Sequence, residues 1–235
     1  MSTEVQGTKT QEVPKIQTIG IVGAGTMGHG IAQVAAQSGY RVILVDSAPP
    51  ALERGLGSIA KGYERLVGKG KLSAEDRDAA LSRLSGEGSI TALSLADLVI
   101  EAVVERLEVK QAVLGELDAV CQPSAILATN TSSISITKLA ATTRRPEKVI
   151  GMHFMNPVPV MQLVEIIRGL ATDQTVYDAV AQASRTMGKT AVEVHDAPGF
   201  VSNRVLMPMI NEAIFCLYEG VGTPEAIDEV MKLGM

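Results

Sequence analysis

Apolar residues in this chain gather into short unbroken runs, set apart by longer stretches of helical periodicity. The run at 16–22 leads through Gly23 to Gly28 into a helix that reaches about residue 38 and is stopped by Gly39. A second run, 41–45, ends at Asp46. Strands without polar alternation are those buried on both faces, so these runs predict a parallel sheet covered by helices on either side. Residues 50–83 hold no such run. Leu52, Leu56, Ile59, Tyr63 and Leu66 recur at helical spacing, Gly68-Lys69-Gly70-Lys71 forms a turn, and Ser73 with Asp76 fits a capping box opening another helix. This is a helical insertion, longer than a plain crossover needs.

Beyond it the pattern predicts a weak strand within 84–91, a firmer one at 97–100 ending at Glu101, and a helix over 106–119. Strands follow at 125–129, 148–154 and about 161–167, then a helix at 173–187 and a last strand at 190–194. The segment 195–199 (HDAPG) reads as a boundary, after which 200–218 is an apolar helix and Pro224 opens another. The predicted fold class is α/β: a Rossmann-type, mostly parallel sheet with a helical insertion, followed by the start of an all-helical C-terminal domain. Residues 1–15 form a polar, disordered tail in this reading, 16–197 the sheet domain, and 198–235 a helical domain that is incomplete. Two helices cannot enclose a core of their own, so this end is expected to lean on something else.

Composition narrows the function classes. A formal net charge of −5 without any dense Lys/Arg block excludes nucleic acid as the expected partner. Cys121 and Cys216 stand far apart in unlike contexts, with neither metal-ligand spacing nor a disulfide framework, and are read as reduced, mostly buried thiols. The N-terminal segment has no apolar core, and no apolar run reaches the roughly 18 residues of a membrane span. A cytoplasmic protein is the expectation.

The glycine pattern carries the first chemistry. Gly-x-Gly-x-x-Gly alone is weak, but here a strand precedes it, a helix follows, and an acid, Asp46, ends the next strand. Gly23 allows the tight turn, Gly25 lets backbone approach a pyrophosphate, and Gly28 lets helix and strand pack closely. Thr26 and Met27 lie in the first turn of the helix, whose N-terminus stabilises phosphate charge. A carboxylate at Asp46 accepts hydrogen bonds from ribose hydroxyls and repels a 2′-phosphate, which selects NAD over NADP. His29, in the same helix, is read as a surface or packing residue.

The second piece lies in polar segments at strand ends, since ligands of open parallel sheets sit beyond the carboxyl ends of the strands. TNTSS at 129–133 follows one strand and GMHFMNP at 151–157 ends the next. Glu165 lies inside the apolar strand LVEII (163–167), where a carboxylate is costly without a partner. Read alone it is either an edge-strand acid facing water or half of a pair. Pairing it with His153 accounts for both residues. A neutral imidazole accepts an alcohol proton, and a carboxylate on its other nitrogen fixes the tautomer and stabilises the imidazolium.

With these residues in view, the chain resembles the L-3-hydroxyacyl-CoA dehydrogenase family, and within it the bacterial 3-hydroxybutyryl-CoA branch. The resemblance spans 16–235 and rests on GIVGAGTMG (20–28), VIEAVVER (99–106), TNTSSISIT (129–137), the block from His153 through Arg168, and PGFVSNR (198–204). It implies NAD-dependent oxidation of a short-chain L-3-hydroxyacyl-CoA and reduction of the matching 3-keto thioester. It implies His153 as general base, Glu165 as its orienting counter-charge, Ser132 as hydrogen-bond partner of the substrate's 3-oxygen, and Asn203 as a residue placing the substrate and catalytic groups. Glu105, Lys110 and Asn130 match positions lining the nicotinamide half of the NAD site, and Lys69 one that touches the phosphates of coenzyme A. Read without the family, a Gly-Lys-Gly-Lys turn is simply a solvated turn between helices, although an anionic ligand needs local positive charge in a protein negative overall. The resemblance also implies a homodimer formed through the helical domain, with more of that domain beyond residue 235.

The sequence departs from the family at Met155, where a second Phe is usual; methionine fills space flexibly, so a pocket wall changes without loss of a reacting group. Three rivals remain. Lysine-dependent hydroxy-acid and sugar-acid dehydrogenases share the glycine turn but lack a His and Glu arrangement. The gulonate dehydrogenase group has such an arrangement, and against it stands the insertion with its basic turn. A non-catalytic NAD-binding protein needs none of Ser132, His153, Glu165 and Asn203.

Overall fold

The computed structural model describes residues 13–234. The tail expected at 1–15 therefore falls outside the described residues up to position 12.

Eight strands form one sheet: β1 (Thr18–Val22), β2 (Arg41–Val45), β3 (Leu84–Glu87), β4 (Leu98–Glu101), β5 (Ile126–Thr129), β6 (Val149–Phe154), β7 (Leu163–Arg168) and β8 (Thr190–His195). Their order is β3-β2-β1-β4-β5-β6-β7-β8, and every neighbouring pair is parallel except β6 with β7. The chain runs outward from β1 to β3 on one side, then returns to place β4 on the other. That reversal opens a crevice beyond the carboxyl ends of β1 and β4, where doubly wound sheets bind ligands.

Side chains alternate between two core layers, as a two-residue repeat demands. On β4, Leu98 and Ile100 enter one layer with Ile19, Ile31 and Tyr63, while Val99 enters the other with Leu114, Leu117 and Leu127. The first layer is covered by α1 (Thr26–Gln37), α2 (Pro49–Gly68) and α6 (Gln174–Thr186), and the second by α4 (Leu107–Val120) and the short α5 (Ile136–Ala140). The insertion is α2 followed by α3 (Ala74–Ser82), and the Ser73 hydroxyl caps α3 by accepting from the Asp76 N–H at 3.0 Å. Burial pushes the Cys121 thiol up to about 11, as befits a packed thiol.

Two features depart from the sequence reading. Helix α5 is absent from it, because five residues are too few to display a period. Its N-terminus is held by Asp196, whose carboxylate accepts from the Ile136 and Thr137 N–H groups and the Ser135 hydroxyl at 3.1, 2.8 and 2.7 Å. The apolar helix α7 (Ser202–Tyr218) starts two residues later than expected, since Phe200 takes a φ of 51°, which no right-handed helix contains. Phe200 is buried in the second core layer instead of lying on the helix surface. After α7 comes α8 (Pro224–Gly234); neither helix has a buried residue.

Candidate active site

The glycine turn joins β1 to α1. Gly23 has a φ of 102°, and a Cβ there would stand 2.7 Å from the Ala102 carbonyl oxygen. A Cβ at Gly28 would stand 1.7 Å from the Gly23 carbonyl, so helix and strand approach as closely as backbone allows. At Gly25 a Cβ would meet nothing within 4 Å. Among the described residues no side chain caps the α1 N-terminus, where Thr26 and Met27 follow. Open space and uncapped N–H groups at a helix start suit a pyrophosphate. Asp46 is fixed across the turn: one carboxylate oxygen accepts from the Ala24 N–H and the other from the Ala48 N–H, each at 2.9 Å. Each oxygen keeps a lone pair for a ribose hydroxyl. His29 stays local, its Nδ1 lying 2.7 Å from the Gly25 carbonyl.

The second half of the crevice lies at the ends of β5 and β6. His153 and Glu165 are a register pair of the antiparallel β6–β7 ladder, both buried, with Nδ1 2.8 Å from Glu165 Oε2. That contact leaves Nε2 as the ring nitrogen able to exchange a proton with a ligand. The Phe200 ring lies 5.9 Å from the imidazole at 58° and packs against it. Burial of Glu165 works to raise its carboxyl, but hydrogen bonds from His153, Ser202 and Val201 outweigh this and hold it below the usual carboxylate range. A charged carboxylate is therefore in place to balance an imidazolium.

Ser132 sits in the loop after β5, which is anchored from below by a chain of charged groups. Glu101, at the end of β4, is fully buried and accepts from Lys110 Nζ at 2.8 Å, from the Thr129 hydroxyl at 2.7 Å and from the Val103 N–H at 2.7 Å. Lys110 also lies 3.3 Å from Glu105, which accepts from the Ser132 N–H at 2.8 Å and from the Thr131 hydroxyl. Burial works to raise the Glu105 carboxyl, and these partners together bring it lower than usual. Lys110 was expected to line the cofactor site, yet its side chain is 0% exposed. It lies behind Glu105 and reaches the crevice only through it. Asn130 is likewise committed, its Oδ1 accepting the Phe154 N–H at 2.9 Å and tying the ends of β5 and β6 together.

Helix α7 touches both arms of the site with consecutive residues. Asn203 Nδ2 donates to the Ser132 carbonyl at 3.1 Å, and Ser202 donates to Glu165. Lys69 is not drawn into this cluster: it is the exposed C-cap residue of α2 and makes no side-chain hydrogen bond among the described residues. Sequence reading missed Ser202, Thr131 and Glu101. Glu101 carried a signal, an acid closing an apolar strand as Asp46 does; Ser202 and Thr131 carried none apart from being polar.

Moving a hydride to or from a carbon that bears oxygen requires a dinucleotide on one side of the crevice and a proton carrier on the other. A doubly wound sheet furnished with both is that of an NAD-dependent dehydrogenase. Residues 18–197 match the family model described as 3-hydroxyacyl-CoA dehydrogenase, NAD binding domain, and residues 199–235 that of the C-terminal domain of the same enzymes. A probable 3-hydroxybutyryl-CoA dehydrogenase of Bacillus subtilis is 55% identical over 94% of this chain and 77% of its own length. The 3-hydroxybutyryl-CoA dehydrogenase of Bradyrhizobium diazoefficiens is 50% identical over 93% and 75%. Among solved structures, (S)-3-hydroxybutyryl-CoA dehydrogenase from Ralstonia eutropha superposes with a TM-score of 0.92 at 50% identity, covering 94% of this chain and 78% of that one. The chain belongs to the 3-hydroxyacyl-CoA dehydrogenase family.

Proposed function

We propose that the protein interconverts L-3-hydroxybutyryl-CoA and acetoacetyl-CoA with NAD(H). The observation that carries this reading is the buried His153–Glu165 pair at the strand ends, across the crevice from a glycine turn built for a dinucleotide. NAD, which the glycine turn and Asp46 would hold, would supply the acceptor for the C3 hydride. His153 takes the 3-hydroxyl proton on Nε2 during oxidation and returns it during reduction, while Glu165 keeps the ring oriented and balances its charge. Ser132 donates a hydrogen bond to the 3-oxygen, and Asn203 holds the loop that presents Ser132. Asp46 receives the adenosine ribose, Glu105 and Asn130 shape the nicotinamide side, and Lys110 supports it through Glu105. Lys69, exposed in the basic turn after α2, offers charge to the coenzyme A phosphates.

The same reading makes 16–197 the NAD-binding domain and 198–235 a helical region that joins two copies of the chain. Support comes from α7, on which Val205, Leu206, Met209, Ile210, Ile214 and Leu217 are all exposed. A cytoplasmic setting goes with dependence on NAD and an acyl-CoA; among the described residues no helix is long and apolar enough to cross a membrane. A steady-state assay with acetoacetyl-CoA and NADH, run beside NADPH and beside free acetoacetate, tests the reading. Equal or better turnover of free acetoacetate would overturn the thioester, and a preference for NADPH the cofactor.

A further inference from the structure

Glu165 is saturated. Its Oε1 accepts the backbone N–H groups of Val201 and Ser202 at 3.1 and 2.9 Å, and its Oε2 accepts His153 Nδ1 and the Ser202 hydroxyl, each at 2.8 Å. Four donors on two oxygens are as many as a carboxylate accommodates. Both backbone donors belong to the chain entering α7 and would persist whatever side chain stood at 202. The hydroxyl is different, because it shares a single oxygen with the imidazole.

We infer that Ser202 is a positioning residue for the His153–Glu165 dyad, by which the first turn of α7 sets how much of the Glu165 charge is available to the ring. This rests on the reading of His153 as the proton carrier. A hydroxyl donating to Oε2 withdraws negative charge from the atom that faces Nδ1. Its loss leaves that charge to the imidazolium, which is then stabilised relative to the neutral ring. The hydroxyl also fixes the carboxylate plane from the α7 side, so the base is held by a helix outside the sheet as well as by its own strand pair.

Among the described residues, no other titratable group forms a hydrogen bond or ion pair with His153 or Glu165. On β8 the register partner of Glu165 is Val192; Glu193 pairs with Arg168 of β7, at 3.0 Å. Asp196 is taken up by the N-terminus of α5. Among the described residues, Lys138 of α5, Tyr177, Asp178 and Arg185 of α6, His195 of β8 and Arg204 of α7 make no hydrogen bond or ion pair with either member of the dyad.

The test compares Ser202→Val with Ser202→Thr, two side chains of one shape of which only threonine keeps the donor. Valine also fills the space a replacing water would need. The chain has three histidines, so His153 can be followed through its own titration by NMR of histidine-labelled protein, without substrate. The titration midpoint of His153 is expected to rise by about half a pH unit or more in Ser202→Val and to stay at the wild-type value in Ser202→Thr. The acid limb of kcat/KM for hydroxyacyl-CoA oxidation should move the same way. A midpoint in Ser202→Val equal to wild type, or the same shift in both variants, overturns the inference. Failure of the wild-type enzyme to turn over acetoacetyl-CoA would overturn the functional reading alone, since the titration is read without turnover.

Discussion

His153 and Glu165 stand directly opposite each other on the antiparallel β6–β7 pair, the one such pair in the sheet among the described residues, with Nδ1 and Oε2 2.8 Å apart. In a parallel ladder of this fold the chain would return through a crossover, and two residues twelve apart could not meet in register. The reversal between β6 and β7 makes a local pair, and burial makes it a strong one.

Replacing His153 with alanine is expected to lower kcat by about 10²- to 10⁴-fold, the usual effect of losing a positioned proton carrier. NADH affinity, read by fluorescence titration, should change little, because Asp46 and the glycine turn lie on the other side of the crevice. A comparable loss of NADH binding would show that His153 supports the fold rather than the reaction.

Glu165→Gln keeps the shape and removes the charge. The rate should fall, and the apparent pKa of the base in the pH–rate profile should drop, because the imidazolium loses its counter-charge. A profile indistinguishable from wild type would take Glu165 out of the mechanism.

Asp46→Ala or Asp46→Ser should raise the KM for NADH and narrow the gap to NADPH. The hydrogen bonds at stake are charge-assisted, roughly 1.5 to 3 kcal/mol by general experience. The same carboxylate also accepts from the Ala24 and Ala48 N–H groups, so a small loss of thermal stability is expected as well. Wild-type enzyme that uses NADPH more efficiently would contradict the role given to Asp46.

Asp196 should make stability depend on acid. Burial works to raise its carboxyl, but the N–H groups and hydroxyls at the start of α5 outweigh that and depress it. A depressed carboxylate stabilises the fold fully above its unfolded pKa of about 3.9, and the contribution is lost as pH falls through the folded value. Asp196→Asn should therefore lower the melting temperature near pH 7 and shrink the difference between wild type and variant below about pH 4. A difference that stays constant down to pH 3 would show that charge at Asp196 is irrelevant.

Helix α7 predicts association. Val205 is 64% exposed, Ile214 60% and Met209 45%. Covering such side chains is worth roughly 1.5 to 3 kcal/mol each for full burial, against the roughly 5 to 15 kcal/mol that holds a domain folded. Light scattering should find a dimer at micromolar concentration, and Ile214→Glu should weaken it. A stable, fully active monomer would refute the proposal that this helix joins two copies.

The order of strands and helices, the dinucleotide turn and the Asp46 acceptor were legible in the sequence, because each rests on short-range rules. A doubly buried strand reads as an apolar run, a turn with positive φ as Gly23, and an amphipathic helix as a period. Even His153 and Glu165 were legible, since a polar residue inside an apolar run signals itself. What only the tertiary structure decided concerns groups whose partners are distant in sequence. Lys110 reads as an ordinary helix lysine, and only the closeness of β4 to α4 shows it buried between Glu101 and Glu105. Phe200 reads as the first residue of a helix, yet its backbone turns and its ring packs against His153. Ser202 reads as nothing in particular until α7 brings it to Glu165. Periodicity reports which face of an element is apolar; which polar groups then meet across that face depends on how the elements are set against one another.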